Sequence, residues 1–315
     1  MVQGKIMIKV LLLGGTGYLG SVFVKRFKKK LFIISPTRQD MNLLDKQNID
    51  QYFKKINSQK FDFILNFCVF QQTGNYLVKN AKLVKEQNET LSNNALYIWK
   101  KYYPKSKFVS MGANCAYSFY KSGFSYLKGR LYGGTKNFAQ AKRLLANKCK
   151  KLNQKFKMNY TILIPGTLIG PGEQLSDEKM HFFNGGLFRA ALYKNNRIKK
   201  FHFIMNNNVI RELSSVNKVC DEIYQNLKNK KNGIINLIPE YRISLKQFYN
   251  LIEKRLKIKK KEDFKKSLFK ASISKSYKIS VKNDFTKKSS ISNKKFLKLF
   301  DNTFAYFSKK TKLKN

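Results

Sequence analysis

IMIKVLLLGGTGYLGSVFVKRFKK, residues 6–29, holds the pattern on which the fold turns. The apolar run 6–13 reads as a strand. Glycines follow at Gly14, Gly17 and Gly20, and 21–29 spaces its apolar residues as a helix does. Working outward, the alternation repeats. Strands are expected at 31–35, 61–67, 107–111 and 159–164, and helices at 46–56, about 77–103 and 137–152. Pro104 and Pro165 punctuate two of these elements. Strands and helices alternating at this spacing predict an α/β fold, a doubly wound parallel sheet covered on both faces.

After Pro165 the pattern changes. GTLIGPGEQ (166–174) reads as a glycine-rich turn region. A helix is expected at 181–193, a strand in FHFIM (201–205), a helix at 216–228, a strand at 233–238 and a helix at 244–256. From about residue 261 the chain is rich in Lys and Ser with scattered apolar positions, and reads as a charged, partly ordered cap.

Composition narrows the classes. The 315 residues carry 64 Lys and Arg against 18 Asp and Glu, a formal net charge of +46. The excess is mostly Lys and is spread along the whole chain, which reads as compositional drift and not as a specific nucleic-acid surface. It favours anionic ligands and salt-dependent binding. The four cysteines form no CxxC pair and there are two histidines, so neither a zinc site nor a disulfide framework is expected. No run approaches the roughly 18 apolar residues of a membrane span. A cytoplasmic, reducing setting is the expectation.

GGTGYLG (14–20) follows a strand and opens a helix. Glycines there let the chain turn and let backbone amides approach a pyrophosphate, which a helix N-terminus stabilises. Gly14, Gly17, Tyr18, Leu19 and Gly20 are therefore the expected dinucleotide cradle. The second strand runs into SPTRQDMNLLD (35–45) with no acid directly after Ile34. Arg38 stands near that place, and a cation there suits a ribose 2′-phosphate, hence NADP(H), with NAD as the other candidate. Asp45 is a candidate partner for the adenine amino group. Asn66 either lines the cofactor cleft or simply ends its strand.

GGTGYLG, TRQDMNLLD, MGANCAY (111–117), NFAQAKRLLANKC (137–149), PGTLIGP (165–171), His181 with Arg189 eight residues on, and IREL around Arg211 occur together in order. With these the chain resembles the extended short-chain dehydrogenase/reductase family, the NAD-dependent epimerase/dehydratases, and within it the GDP-L-fucose synthase branch. The resemblance runs from about residue 6 to 255. It implies a Rossmann-type unit at 1–165, with elements of about 199–230 returning to it. A smaller α/β substrate-binding part would hold 166–198 and 231–315. It also implies a nucleotide-sugar substrate, a homodimer, Lys142 holding the nicotinamide ribose, and Pro165 among the cofactor-binding residues. Arg189 and Arg211 match positions that contact the nucleotide-sugar.

The resemblance assigns a Ser, a Tyr and a Lys to hydride transfer at a 4-keto carbon, and a Cys and a His to proton exchange at the neighbouring carbons. The cysteine position is Cys115 and the histidine position His181, both retained; the serine position is Ala113. A literal YxxxK occurs at Tyr132 and Lys136, but the match of RLLANKC puts Lys142 in the lysine place and Phe138 in the tyrosine place, with Tyr132 as the alternative acid. The two registers are six residues apart, about 600° around a helix at roughly 100° per residue, so they present different faces. Three functions remain open: an epimerase or epimerase-reductase with impaired reduction, a noncatalytic homologue serving as sensor or partner subunit, and a polyanion binder. In the bland alternatives Cys115 packs and His181 caps or packs. In the active one, a Lys-rich site favours the Cys115 thiolate.

Overall fold

The computed structural model describes residues 7–56, 59–73, 75–121, 123–176, 179–201, 210–229, 231–258 and 293–312. Its strands are β1 (Lys9–Leu13), β2 (Phe32–Ile34), β3 (Phe63–Asn66), β4 (Lys107–Met111), β5 (Ser118–Tyr120), β6 (Gly123–Ser125), β7 (Tyr160–Ile164), β8 (Thr167–Ile169), β9 (Ile210–Ser215), β10 (Gly233–Asn236) and β11 (Tyr241–Ser244). Its helices are α1 (Tyr18–Phe27), α2 (Lys46–Lys55), α3 (Asn75–Lys79), α4 (Ala81–Tyr102), α5 (Lys136–Phe156), α6 (Phe182–Lys194), α7 (Val216–Lys228), α8 (Leu245–Leu256) and α9 (Lys294–Thr311).

Side chains alternate across a strand, and β1 shows what that does to a strand apolar throughout. Val10 and Leu12 enter the layer beneath α1 and α7. Leu11 and Leu13 enter the opposite layer, with α2, α4 and α5. The main sheet is thus covered on both faces, in the order β10-β7-β4-β3-β1-β2, with every pairing parallel. The chain reverses its direction of travel between β1 and β3, so the loops leaving their C-terminal ends part and open a crevice there.

A second sheet, β11-β9-β8, and helices α6, α8 and α9 enclose a separate core rich in Phe. This corrects the expected partition in two places. β10, assigned to the smaller part, is the edge strand of the main sheet, paired with β7. β9, unforeseen as a strand and lying within the stretch of about 199–230 expected to return to the first unit, pairs with β8 and β11 instead. The second core also explains an element missing from the sequence reading. Phe296, Phe300, Thr303 and Phe307 are buried on one stripe of α9, which packs along α6. The short strands β5, β6, β8 and β11 were also unforeseen. The strand expected at 201–205 lies, apart from Phe201, outside the described residues.

Candidate active site

The glycine loop is built as the residues dictate. Gly14 has φ +88°, and a Cβ on it would stand 2.9 Å from the Cys68 amide nitrogen. A Cβ on Gly20 would stand 2.2 Å from the Gly14 carbonyl oxygen, so α1 can start this close to β1 only with glycine there. Gly17 is different. It caps α1, and the nearest protein atom to its virtual Cβ is 3.4 Å away, in ordinary contact. The packing of the protein does not require glycine at 17, whereas a phosphate approaching the first turn of α1 does. The first-turn amides have no carbonyl a turn behind them to bond. The cradle therefore fits a dinucleotide pyrophosphate.

Several expected cofactor residues prove to be occupied otherwise. Asp45 caps α2, its Oδ1 accepting from the Gln47 and Asn48 amides. Asn66 is buried, donating to Ser110 Oγ and accepting from the Cys68 amide; it ties the strand ends together. Leu19 is buried in the core and can offer only its amide. Arg38 is exposed on the turn after β2, and Pro165 is partly exposed at the end of β7.

Tyr18 also turns away from the cradle. Its hydroxyl donates to the Gly170 carbonyl at 2.8 Å, and Asn184 of α6 donates to the Glu173 carboxylate at 2.6 Å and to Gly170. This buried network joins α1 to the second core. Burial raises the Glu173 carboxyl from 4.5 to about 7, against the hydrogen bond from Asn184. The folded state therefore keeps a proton the unfolded chain loses, and stability falls as pH rises from about 4.5 to about 7. Glu173→Gln should abolish that slope and leave the protein more stable at pH 8 by about 3 kcal/mol, read from urea midpoints at pH 4.5 and 8. An unaltered difference between the two pH values would exclude the ionisation of Glu173 as its source.

At the ends of β4 and β7 the chemistry gathers. The chain leaves β4 at Gly112, passes Ala113, and enters a short 3-10 turn (Asn114–Ala116) that carries Cys115. Opposite, α5 begins only at Lys136, with Thr135 as its N-cap. Tyr132 lies before the helix, exposed and stacked near Arg130, so the Tyr132/Lys136 register does not form a helical pair. Phe138 and Lys142 do, one turn apart, with the Lys142 ammonium 5.7 Å from the Phe138 ring centre. Lys142 Nζ donates to the Met111 carbonyl at 3.0 Å. Burial brings it down to about 8, while the nearby Cys115 and Cys68 thiols work the other way.

Burial pushes the Cys115 thiol up to about 11, and the Thr135 hydroxyl, Lys142 and Arg211 only partly offset this. The expectation of a thiolate is thereby corrected: desolvation outweighs the lysine field, and the resting group is a neutral thiol. His181 is the N-cap of α6, but its side chain makes no cap bond. Its Nε2 faces the Gln71 side-chain nitrogen at 3.4 Å. Burial, with the Arg211 guanidinium adding, pulls it down to about 4, so the imidazole is neutral at pH 7. Arg211, on β9, thus lies in the field of both groups. Arg189 sits further along α6, its guanidinium over Gly185. Gln71, Thr135 and Arg143 were not foreseen. Arg143 opens the RLLANKC match on α5, but nothing in that match shows what its side chain holds; Gln71 and Thr135 come to the site only through the folded loops.

These features, a parallel sheet with a glycine cradle at its reversal point and a second lobe facing the strand ends, define a dinucleotide-binding α/β protein. The chain belongs to the NAD-dependent epimerase/dehydratase family, whose model matches residues 10–237. A nicotinamide cofactor accords with both the cradle and this membership. No curated protein matches the sequence. Among solved structures the fold is similar to a GDP-6-OMe-4-keto-L-xylo-heptose reductase from C. jejuni, at 19% identity over 84% of this chain and 88% of that one, TM-score 0.71. A GDP-L-fucose synthetase from Naegleria fowleri shares 18% identity over 96% and 94% of the two chains, TM-score 0.70. A UDP-glucose 4-epimerase from Thermotoga maritima shares 15% over 96% and 99%, TM-score 0.71. The fold is that of nucleotide-sugar epimerases and reductases, as the sequence resemblance implied. No helix among the described residues is long and apolar enough to cross a membrane.

Proposed function

We propose that this protein binds a nucleotide-linked 4-keto-6-deoxy sugar together with NADP(H), and exchanges protons at the carbons beside the keto group while reducing that group poorly. The observation that carries the reading is one constellation. Cys115 and His181 share the field of Arg211, while Phe138 stands one turn before Lys142 where a proton-donating tyrosine would be required.

Epimerisation beside a ketone needs a base to remove a proton and an acid to return one on the other face. A neutral imidazole is a base and a neutral thiol is an acid, so His181 and Cys115 rest in usable forms. When His181 takes the carbon-bound proton it becomes imidazolium, and the electron pair passes to the keto oxygen as an enolate. When Cys115 gives its proton to the opposite face, the enolate collapses back to the ketone and a thiolate remains. Exchange with solvent resets both groups. Lys142 and Arg211 supply positive charge beside Cys115, which favours the thiolate as it forms. A dinucleotide whose pyrophosphate is held at the Gly14–Gly20 cradle would supply the hydride for reduction of the keto carbon. Phe138 and Ala113 have no proton to donate to the oxygen, which is why reduction is the impaired half.

Proton NMR in D2O with GDP-4-keto-6-deoxymannose and NADPH tests this. Deuterium should enter at carbons 3 or 5 while NADPH is consumed slowly or not at all. Binding of both ligands without deuterium uptake would instead support a noncatalytic sensor or partner subunit, the reading favoured by the missing hydroxyls at 113 and 138. The homodimer and the roles of Arg38, Arg189 and Arg211 toward cofactor and sugar belong to the same proposal.

A further inference from the structure

We propose that Arg143 is the positioning residue of this site, locking the turn that carries Cys115 onto the helix that carries Lys142. The segment between β4 and α5 is a long excursion from the sheet. It contains the Cys115 turn, the two-stranded hairpin β5–β6 and an irregular run to Thr135. A lone hairpin is marginal in water, and loops of this length do not hold one geometry without ties.

Arg143 supplies the ties. Its Nε donates to the Tyr126 carbonyl at 2.8 Å, and Nη1 to the Gly129 carbonyl at 2.6 Å. Nη2 donates to the Ala116 carbonyl at 2.6 Å and to Ser118 Oγ at 2.9 Å. These acceptors come from both ends of the hairpin, and Ala116 is the residue next to Cys115. The planar guanidinium is suited to this, because its donors leave in fixed directions and a lysine could satisfy only part of the set. Such bonds are charge-assisted and short. Lys142, the preceding residue, reaches the Met111 carbonyl at the end of β4. Two neighbours on α5 therefore grip the strand end and the excursion that leaves it. Tyr126 adds a further tie, its hydroxyl accepting from the Ala113 amide at 3.3 Å. The distance between the Cys115 thiol and Lys142 is set largely by this grip.

The test is residue-resolved alkylation by N-ethylmaleimide, followed by mass spectrometry. Cys149 and Cys220 are fully buried in two different layers and report global opening. In Arg143→Met, Cys115 should be labelled at least about tenfold faster, the scale of losing bonds to a charged donor, while Cys149 and Cys220 react as in the wild type. Arg143→Lys should fall between. An unchanged Cys115 rate in Arg143→Met overturns the proposal. So does a joint rise of all three cysteines in both variants, which would make Arg143 a general stability residue. A second readout rests on the proposed function. Deuterium uptake into the sugar should lose at least about tenfold in kcat with KM and NADPH affinity within about twofold. Labelling needs no turnover. A wild type that labels as described but exchanges no deuterium refutes the epimerase reading and leaves the positioning role standing.

Discussion

Phe138→Tyr combined with Ala113→Ser raises NADPH oxidation with GDP-4-keto-6-deoxymannose by about 10²–10⁴, the contribution of a well-placed general acid. The gain follows from geometry already present. The ring at position 138 lies one turn before Lys142 and 5.7 Å from its ammonium. A para hydroxyl would extend from that ring into the field of a cation, which favours the phenolate and so eases proton release. Phe138 is only half-buried, so the added oxygen does not overpack a core. At position 113 a serine hydroxyl adds a second donor for the same oxygen. The backbone amide of Ala113 already bonds Tyr126, and that bond does not involve the side chain. Phe138→Tyr alone should give most of the gain. NADPH oxidation that stays at the wild-type rate in the double variant, with both ligands bound, would show that these two positions do not limit reduction.

Cys115→Ala and His181→Gln should each lower deuterium uptake at carbons 3 or 5 by about 10²–10⁴, while NADPH still binds. The pH profile should carry the signatures of the groups that remain. Below about 4, His181 is protonated and cannot accept a proton, so the rate falls on the acid side. On the alkaline side, Lys142 loses its charge near 8 and its support of the forming thiolate is withdrawn, before the thiol itself ionises near 11. The wild-type profile should therefore be a plateau from about 5 to 7.5 with limbs near 4 and 8. Lys142→Arg, permanently charged, should shift the alkaline limb toward 11. If deuterium uptake survives Cys115→Ala undiminished, some other acid returns the proton and the assignment is wrong.

How much of this was legible depends on the range of the interactions involved. Helix α7 falls at 216–228 as read, because an amphipathic run between Ser215, which caps it, and Lys228 is a local property. The phosphate loop is equally local. Asp45 shows the limit: read as a candidate for adenine, it has a second role, capping the helix that starts at the next residue. That cap is itself a local signal, a side chain followed by amides two and three residues on, and it could have been read. Tyr18 could not. Its partners Gly170, Glu173 and Asn184 lie far along the chain, and only the folding of the loop after β8 and the start of α6 over its hydroxyl brings them there.

By itself the sequence determined the parallel sheet, the cradle at Gly14, Gly17 and Gly20, and the absence of hydroxyls at Ala113 and Phe138, because periodicity, glycine geometry and residue identity need no partner. Tertiary structure alone decided three things. It put β10 on the sheet edge and β9 in the second sheet, since strand pairing is long-range. It set the Cys115 thiol and His181 imidazole as neutral groups, since desolvation depends on everything packed around a site. And it brought Arg143 to the carbonyls on both sides of a hairpin, since a guanidinium on a helix finds its acceptors only when the loop has folded back over it.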